Sequence, residues 1–498
     1  MSAWSHAAVC AALGIGTTAG LEAVAYPGIS TDTRTLQPGQ LFVALAGEHF
    51  DAHDYLQQAA DAGAAAAVVH RMPADAPSSL GYYEVDDTLA ALGRLGRFHR
   101  RRMGWTVVAV AGANGKTTTK DLLRAALSAR YRVHATTGNL NNLVGAPLTL
   151  FAAPADTEVV VSEIGTNTPG EVAKLAGIVE PDVAVVTSIA AEHLEGLGDL
   201  AGVLREETSL LPWLPVAGVA VVPDDPADLA ARARALAPRV VVVGPGPDAD
   251  EAFRVRAIEL DKHGAVRFGW GTRTVQLQLR GRHNARNAML ALAVADALGV
   301  EADAAVARLA DLPPAKMRGE FHRFGRLTVI ADCYNANPAS VTAAVDLLVS
   351  LPRGGGRVAV LGTMRELGAE SARLHAETAA DVAAQPVDLI VATGEFVAAF
   401  AAHAELLGDR LVREPDPVIA YDRIASRLQG DEVVLLKGSR GVALERLLPR
   451  FQEQWGVLHP HGEAFGSRAI GTIADTRDEA QSAEHPQADS HTRERGKA

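Results

Sequence analysis

Short, uninterrupted apolar runs recur in the middle of this chain and constrain its fold more than any other feature. Thr106–Ala111 reads Thr-Val-Val-Ala-Val-Ala, and similar runs follow at 158–161, 183–186 and 219–222. Such runs are typical of parallel strands that are buried on both faces. Helical segments lie between them, for example 117–129. Alternating strands and helices predict a parallel sheet with right-handed crossovers, and therefore an α/β fold.

The length of 498 residues predicts about three domains at roughly 100–200 residues each. Changes in pattern indicate a small N-terminal α/β domain at 1–103, a central domain at 104–312, a third domain at 313–455 and a disordered polar tail at 456–498. The central domain would end in a β-rich patch and a helix, at 253–279 and 283–298. The third domain would hold a second parallel sheet, with strands at 326–331, 358–361, 389–392 and 433–436.

The charge and cysteine content excludes several classes of protein. A net charge of −12 argues against a nucleic-acid partner, because nucleic-acid binders usually present a basic face. Two cysteines far apart in sequence exclude a disulfide framework. No apolar run reaches about 20 residues, and no Lys or Arg precedes Arg34, so neither a membrane span nor a signal peptide is expected. We therefore expect a cytoplasmic protein that acts as a monomer.

The strongest motif is a glycine-rich loop, Ala-Gly-Ala-Asn-Gly-Lys-Thr-Thr at 111–118, between a predicted strand and a predicted helix. Glycines let backbone amides turn toward a phosphate, and a helix N-terminus adds partial positive charge. Lys116 would contact the β- and γ-phosphates of ATP, and Thr117 would hold Mg²⁺. Val110 stands where the standard motif has its first glycine. The alternative is a strand–helix turn with an exposed lysine. The predicted ATP-binding loop residues are Gly112, Ala113, Asn114, Gly115, Lys116, Thr117 and Thr118.

The short form of this loop resembles the ATP-binding loop of the Mur ligase family, ATP-dependent amide ligases with three domains. Asp-Cys-Tyr-Asn-Ala-Asn-Pro-Ala-Ser at 332–340 resembles the signature of the subgroup that adds D-alanyl-D-alanine, and no Asp-Asn-Pro-Arg occurs in the chain. Further segments similar to this subgroup lie at 138–142, 163–167, 281–287, 364–368 and 437–441. The resemblance implies a central P-loop ATPase-like sheet and a Rossmann-like C-terminal domain.

The resemblance also implies binding roles for individual residues. The nucleotide would be contacted, outside the loop, by Asn284, Asn287, Arg318 and Asp332. The other substrates would be contacted by Thr33, Arg34, Asn139, Thr166, Asn335, Asn337 and Arg440. Thr33 and Arg34 belong to a segment similar to the family's UDP-binding segment. Simpler interpretations stay open: Asn284 as a helix cap, Arg318 or Asp332 as surface charges, and the first segment as a turn.

The chemistry implied is an ATP-dependent ligation of D-alanyl-D-alanine to UDP-N-acetylmuramoyl-tripeptide, in the synthesis of a peptidoglycan precursor. ATP would convert the carboxylate to an acyl phosphate, which the amine then attacks. The third residue of the tripeptide would be diaminopimelate or lysine. Residues predicted to take part in catalysis are Lys116, His193, Glu207 and Lys437. The Mg²⁺ ligands implied are Thr117, Glu163, His193 and Glu207.

One departure from the family pattern concerns Glu207. The family usually has a carbamoylated lysine at this position, but no lysine lies between Lys174 and Lys262. Our hypothesis is that Glu207 supplies a permanent carboxylate, or Glu206 if the register is shifted by one. Thr363 also replaces a usual Asp and receives no role, and Ser188 replaces an expected Asn.

Two other functions remain as alternatives. One is another Mur-like amide ligase of the folylpolyglutamate synthase or tripeptide synthetase type. The other is a catalytically inactive scaffold that binds nucleotide. The segment at 332–340 speaks against the first, and intact Lys116, Thr117, Glu163 and His193 speak against the second.

Overall fold

A computed structural model describes residues 3–17, 20–47, 50–352 and 354–456. The predicted tail, apart from Gly456, lies outside the described residues. No helix in these four stretches is both long enough and apolar enough to cross a bilayer. The helices are His6–Leu13, Leu56–Asp61, Thr88–Met103, Lys116–Leu127, Gly145–Ala152, Glu171–Val179, Leu194–Leu197, Leu200–Glu207, Ala227–Leu236, His283–Ala297, Ala302–Ala310, Pro338–Ser350, Ser371–Ala383, Phe396–Ala399, Ala404–Leu407, Pro417–Ile424 and Leu448–Trp455.

The first sheet has four parallel strands in chain order. Its strands are Ile29–Ser30, Leu41–Val43, Ala66–Val69 and Gly81–Glu84. The apolar runs at 41–45 and 65–69 predict only the middle two strands, because the outer two are short or carry polar residues. A separate antiparallel pair, Trp4–Ser5 with Ala25–Tyr26, lies near the N-terminus.

The central sheet has six parallel strands and confirms the α/β prediction. From edge to edge its strands are Val240–Val243, Val219–Pro223, Val183–Val186, Thr106–Ala111, Val159–Glu163 and Val133–Ala135. Valines on the two faces of this sheet are buried in two separate apolar clusters, each of which also contains residues of the covering helices. Each buried valine contributes roughly 1.5–3 kcal/mol relative to exposure. The β-rich patch forms a three-stranded antiparallel sheet, Val255–Leu260, Ala265–Trp270 and Arg273–Arg280.

The third sheet has six strands and is mixed. Its order is Glu320–Phe324, Leu327–Asp332, Val433–Lys437, Arg357–Leu361, Leu389–Ala392 and Leu411–Arg413. The prediction of a wholly parallel second sheet is therefore wrong at one edge, where Glu320–Phe324 pairs antiparallel with its neighbour. This strand reads Glu-Phe-His-Arg-Phe and is only partly buried, so it lacks the apolar run that identified the others.

The order of the central strands fixes where a ligand can bind. The chain leaves Thr106–Ala111 toward one edge and later returns to pair Val183–Val186 on its other side. Such a reversal opens a crevice at the carboxyl ends of the strands, which is the usual ligand site of open α/β sheets. The glycine-rich loop, Glu163 and Thr187 all lie at this end.

Candidate active site

A cavity of about 540 Å³ lies between the carboxyl ends of the central and third sheets. This volume is within the usual range for a small-molecule site. Polar side chains converge on it from both sheets. The predicted site residues in its lining are Ala113, Asn114, Gly115, Lys116, Thr117, Thr118, Asn139, Glu163, Thr166, His193, Asn284, Asn287, Arg318, Asp332, Asn335 and Lys437.

Two glycines shape the loop at the base of this cavity. Gly112 has φ 119°, and a Cβ there would lie 2.4 Å from Thr187 Oγ1. Gly115 has φ 85°, caps the helix Lys116–Leu127, and a Cβ there would lie 2.8 Å from Asn287 Oδ1. Neither position accepts a side chain without strain. The first residues of this helix, Lys116 to Thr118, line the cavity, as a phosphate-binding loop requires.

Lys116 lies folded against its own loop. Its Nζ donates to Gly112 O at 2.5 Å and is 3.9 Å from Glu192 Oε1. Burial disfavours the charge of Lys116, but the carboxylates of Glu192, Glu207 and Glu163 outweigh burial and raise its pKa. Lys116 is therefore positively charged at neutral pH, at the base of the cavity.

Thr117 and Glu163 form a pair of oxygen groups beside the loop. Thr117 Oγ1 donates to Glu163 Oε1 at 3.1 Å, and Asn141 Nδ2 donates to the same oxygen at 3.2 Å. The other oxygen, Glu163 Oε2, is buried and has no hydrogen-bond partner, and its nearest cation is Lys120 Nζ at 3.9 Å. A buried carboxylate oxygen without a partner, next to a hydroxyl, fits a hard divalent cation.

His193 has different partners from those expected of a metal ligand. Its Nε2 is 3.0 Å from Glu192 Oε1, and its Nδ1 contacts the carboxylate of Glu366. Burial lowers the pKa of His193, but the two carboxylates more than compensate and raise it to about 9. In this arrangement both ring nitrogens of His193 therefore face carboxylates.

The two neighbouring glutamates of the helix Leu200–Glu207 face different loops. Glu207 Oε2 accepts the N–H of Gly112 at 2.6 Å, and burial raises the pKa of this carboxyl to about 7 despite the nearby Lys116. Glu206 accepts the N–H groups of Gly170 and Val172, at 2.7 and 2.8 Å. Of the two, Glu207 is the one that contacts the glycine-rich loop at residues 111–118.

The predicted four-ligand metal set is therefore not assembled in this arrangement. Among the residues that the structure describes, no three His, Cys, Asp or Glu side chains lie close enough to hold an ion together. Only Thr117 and Glu163 of the predicted ligands contact one another. The reason is that His193 contacts two carboxylates, whereas Glu207 accepts the N–H of Gly112.

The third sheet contributes Lys437 and the loop 333–337, which we call the asparagine loop because it contains Asn335 and Asn337. Lys437 Nζ is 3.1 Å from Asp332 Oδ2 and donates to Asn335 O at 2.7 Å. Asp332 and Lys437 are paired residues at the ends of adjacent parallel strands, so the sheet register brings them together. Asn337 is the N-cap of the helix Pro338–Ser350.

The residues expected at the nucleotide base line the cavity from two sides. Asn284 and Asn287 lie in the first turns of His283–Ala297, where Asn287 Nδ2 donates to Asn284 Oδ1 at 3.0 Å. Arg282, and not Asn284, is the N-cap of that helix, so the capping interpretation does not apply. The Arg318 guanidinium stacks 4.4 Å above the ring of Tyr334, which leaves a flat surface in the cavity wall.

Four predicted substrate residues do not line this cavity. One is Asn337, whose side chain is buried and hydrogen-bonded to neighbouring residues. Thr33 Oγ1 donates to Gln58 at 3.4 Å, and Arg34 is paired with Asp32 on the exposed surface of the first domain. Arg440 is paired with Glu445 at 2.5 Å.

Sequence reasoning missed two acidic residues of the site, Glu192 and Glu366. Glu192 follows two alanines and belongs to no motif. Glu366 lies in the segment 364–368, for which the family resemblance implied no role of a single residue. The one available signal was the charge next to His193, because a buried histidine usually needs a polar partner.

Family comparisons agree across the chain. The Mur ligase family catalytic domain matches residues 25–99, the Mur ligase middle domain 110–295 and the Mur ligase glutamate ligase domain 317–440. The UDP-N-acetylmuramoyl-tripeptide–D-alanyl-D-alanine ligase of Escherichia coli is 35% identical over 432 residues, 85% of this chain and 93% of the relative.

Two solved structures are also similar. MurF from Acinetobacter baumannii is 32% identical with a TM-score of 0.81, covering 91% of this chain and 99% of that one. MurF ligase from Thermotoga maritima, solved in complex with ADP, is 26% identical with a TM-score of 0.76, covering 86% and 97%.

Proposed function

This chain belongs to the Mur ligase family, and from that membership we propose that it joins D-alanyl-D-alanine to UDP-N-acetylmuramoyl-tripeptide through an acyl phosphate. It is an ATP-dependent amide ligase of the MurF-like kind that serves peptidoglycan synthesis. One observation carries the choice of substrates: the glycine-rich loop, called the nucleotide loop below, and the asparagine loop both line one cavity.

For the nucleotide, we propose that the N–H groups of the glycine-rich loop and the Lys116 ammonium bind the β- and γ-phosphates. A fixed positive charge that is buried before the reaction stabilises developing negative charge without reorganisation. The adenine and ribose would lie between the pair Asn284 and Asn287 and the stacked Arg318 and Tyr334. These groups support the proposal because amides and a guanidinium offer donors, and the amides also offer acceptors.

For the metal, we propose that Thr117 and Glu163 hold Mg²⁺. The unpartnered Glu163 oxygen and the adjacent hydroxyl are hard oxygen ligands of the kind that Mg²⁺ prefers. Bound there, the ion would neutralise charge on the transferred phosphoryl group.

We propose that Glu207 takes the position of the family's carbamoylated lysine and fixes the nucleotide loop through Gly112. Its carboxyl group belongs to the side chain itself and needs no carbamoylation, so ligase activity should not require CO₂. A wild-type enzyme whose rate depends on added bicarbonate in a CO₂-depleted buffer would contradict this assignment. His193 would act by orienting Glu192 and Glu366 at the cavity wall.

On the side of the third sheet, we propose that Lys437 and the amides of Asn335 and Asn337 face the dipeptide and the acyl phosphate. Arg440 would pair with a carboxylate after releasing Glu445. In the proposed domain division of 1–103, 104–312 and 313–455, Thr33 and Arg34 of the first domain would bind the UDP group. Asn139 and Thr166 would contact the peptide part of the same substrate. We propose that the protein works as a monomer in the cytoplasm.

The test is phosphate release from ATP in the presence of UDP-N-acetylmuramoyl-tripeptide, measured with and without D-alanyl-D-alanine. We expect release to depend on the dipeptide, and the product to contain a new peptide bond by mass spectrometry. D-alanine and L-glutamate at equal concentration are the matched amine controls. Release that ignores the dipeptide, or that follows glutamate, would overturn the proposal.

A further inference from the structure

One buried carboxylate, Glu192, lies between the two halves of the cavity, and the proposed function uses it only as the partner of His193 Nε2, at 3.0 Å. Glu192 is only 6% exposed and lies in the loop between the strand Val183–Val186 and the short helix Leu194–Leu197. A carboxylate is rarely buried unless several partners compensate for its lost hydration. Its partners therefore indicate what it does.

On one side, Glu192 is held by the asparagine loop of the third sheet. Asn335 Nδ2 donates to Glu192 Oε1 at 3.3 Å, and Asn337 Nδ2 donates to Glu192 Oε2 at 3.1 Å. The two amides use different oxygens of one carboxylate, so Glu192 helps to orient both, together with the N-cap hydrogen bond of Asn337. These are the amides that we propose to face the dipeptide.

On the other side, Glu192 reaches the nucleotide loop. Its Oε1 lies 3.9 Å from Lys116 Nζ. Asn337 adds a second link to the same loop, because its side chain exchanges hydrogen bonds of 2.9 and 3.2 Å with the side chain of Asn114. Asn114 and Lys116 are two residues apart, so the nucleotide loop and the asparagine loop are joined through Glu192 and Asn337.

A phosphate bound at Lys116 would compete with Glu192 for the same ammonium group. The ammonium of Lys116 would then attract both the phosphate and the Glu192 carboxylate, while the two anions repel one another at close range in a buried site. Any movement of Glu192 away from the phosphate alters the acceptor that orients Asn335 and Asn337. A change at the nucleotide loop is thereby passed to the asparagine loop.

We propose that Glu192 is a positioning residue that couples phosphate binding at Lys116 to the orientation of Asn335 and Asn337. The inference rests on the proposed function for the identity of the two ligands. The coupling is a free energy, so it appears equally as an effect of the dipeptide on nucleotide affinity.

The experiment measures the Kd of Mg²⁺-AMPPNP by calorimetry on the full chain, with and without saturating D-alanyl-D-alanine. It compares the wild type with Glu192→Gln, which removes the charge and keeps the size, and with Glu192→Asp, which keeps the charge and both oxygens. Glu405→Gln is the matched control, since Glu405 is an exposed glutamate on a helix of the third domain. Steady-state assays give the KM for the dipeptide and kcat for each variant.

For Glu192→Gln we expect AMPPNP to bind about tenfold tighter, because one anion beside the phosphate is gone. The KM for the dipeptide should rise about tenfold with a smaller change in kcat, because the glutamine amide presents N–H where an asparagine needs an acceptor. The effect of the dipeptide on AMPPNP affinity should disappear in this variant. Glu192→Asp should keep that effect, and Glu405→Gln should match the wild type.

Two results would overturn the coupling role. One is a Glu192→Gln protein with AMPPNP affinity and dipeptide KM within twofold of the wild type. The other is a fall in kcat alone, in both Glu192 variants. If Glu192→Gln does not fold, as judged by its thermal transition, Glu192→Ala, which also removes the charge and the acceptor oxygens, takes its place with the same expected results. A wild type whose phosphate release ignores the dipeptide would instead overturn the proposed function, so the two failures are distinguishable.

Discussion

Lys116 shows how a single side chain acquires its role from its surroundings. Its ammonium is buried among three glutamates and contacts two carbonyls of its own loop. Burial alone would favour the neutral amine, and the carboxylates reverse that preference. The net result is a positive charge that is already desolvated and in position for a phosphate.

We expect Lys116→Ala to lower kcat at least about 100-fold, because the variant loses a preorganised charge from the transition state. Lys262→Ala is the matched control, since Lys262 is exposed in the turn between two strands of the antiparallel sheet. The measurement is dipeptide-dependent phosphate release. Turnover within fivefold of the wild type would mean that the loop does not use this lysine.

Glu163→Gln should raise the Mg²⁺ concentration needed for half-maximal AMPPNP binding by at least about tenfold. The physical reason is that the unpartnered oxygen loses its charge, while the hydrogen bond from Thr117 can persist. Glu158→Gln, just before the other end of the same strand, is the control. The readout is nucleotide binding during a Mg²⁺ titration. An unchanged Mg²⁺ requirement would assign the metal elsewhere.

The helix Thr88–Met103 shows how an element joins two domains. Its glycines at 93 and 96 allow Ile178 and Pro147 of the central domain to pack against its backbone. Arginines at its C-terminal end pair with Glu180 and Asp182 beyond the helix Glu171–Val179. The arginine-rich end of this helix is therefore a contact between the first and central domains.

His99 on this helix gives a pH prediction for the same contact. It is buried among the rings of Trp4, Trp105 and Phe151, and burial, with the Arg102 guanidinium, lowers its pKa to about 4. The folded state keeps His99 neutral, whereas the unfolded chain takes up a proton below about pH 6.5. The stability that depends on neutral His99 is therefore complete above pH 6.5 and is lost as the pH falls toward 4.

The free energy of unfolding should fall between pH 7 and pH 5 by about 2 kcal/mol less in His99→Phe than in the wild type. The reason is that phenylalanine takes up no proton on unfolding. Urea unfolding at the two pH values, followed by tryptophan fluorescence, measures this difference. The comparison between pH 7 and pH 8 is the control, where the two proteins should change in parallel. Parallel losses at pH 5 as well would show that His99 is already protonated when folded.

At the level of the whole molecule, the cavity belongs to neither sheet alone. The central sheet supplies the phosphate loop and the third sheet supplies Asp332, Asn335 and Lys437. Domains joined by short linkers move relative to one another unless a large interface holds them. A nucleotide that contacts both sides should therefore stabilise the arrangement of the two domains as well as each domain.

Arg318→Ala should reduce the stabilisation that AMPPNP provides, because Arg318 lines the cavity from the segment just before the strand Glu320–Phe324. Ligand at 100 times its Kd adds about 2.7 kcal/mol, and a tenfold weaker Kd leaves about 1.4 kcal/mol. Thermal unfolding with and without Mg²⁺-AMPPNP measures the change. Arg326→Ala, in the exposed turn before Leu327–Asp332, is the control. Equal stabilisation of both variants would exclude Arg318 from the nucleotide site.

Periodicity and local motifs predicted the α/β class, most strands of the central and third sheets, and the glycine-rich loop. These features depend on neighbouring residues: valine runs form buried strands, and Gly112 and Gly115 adopt backbone angles that other residues avoid. The short outer strands of the first sheet and the antiparallel strand Glu320–Phe324 escaped prediction, because their pairing depends on a neighbouring strand more than on their own composition.

The partners of charged side chains were decided only by packing in three dimensions. His193 and Glu207 have the residue types of metal ligands, but tertiary contacts give His193 two carboxylates and give Glu207 the Gly112 N–H. Glu192 has no motif at all, yet it contacts groups 76 residues before it and more than 140 residues after it. The reason is physical: local sequence sets backbone conformation, whereas a buried charge is governed by whichever distant groups the fold brings within a few ångströms.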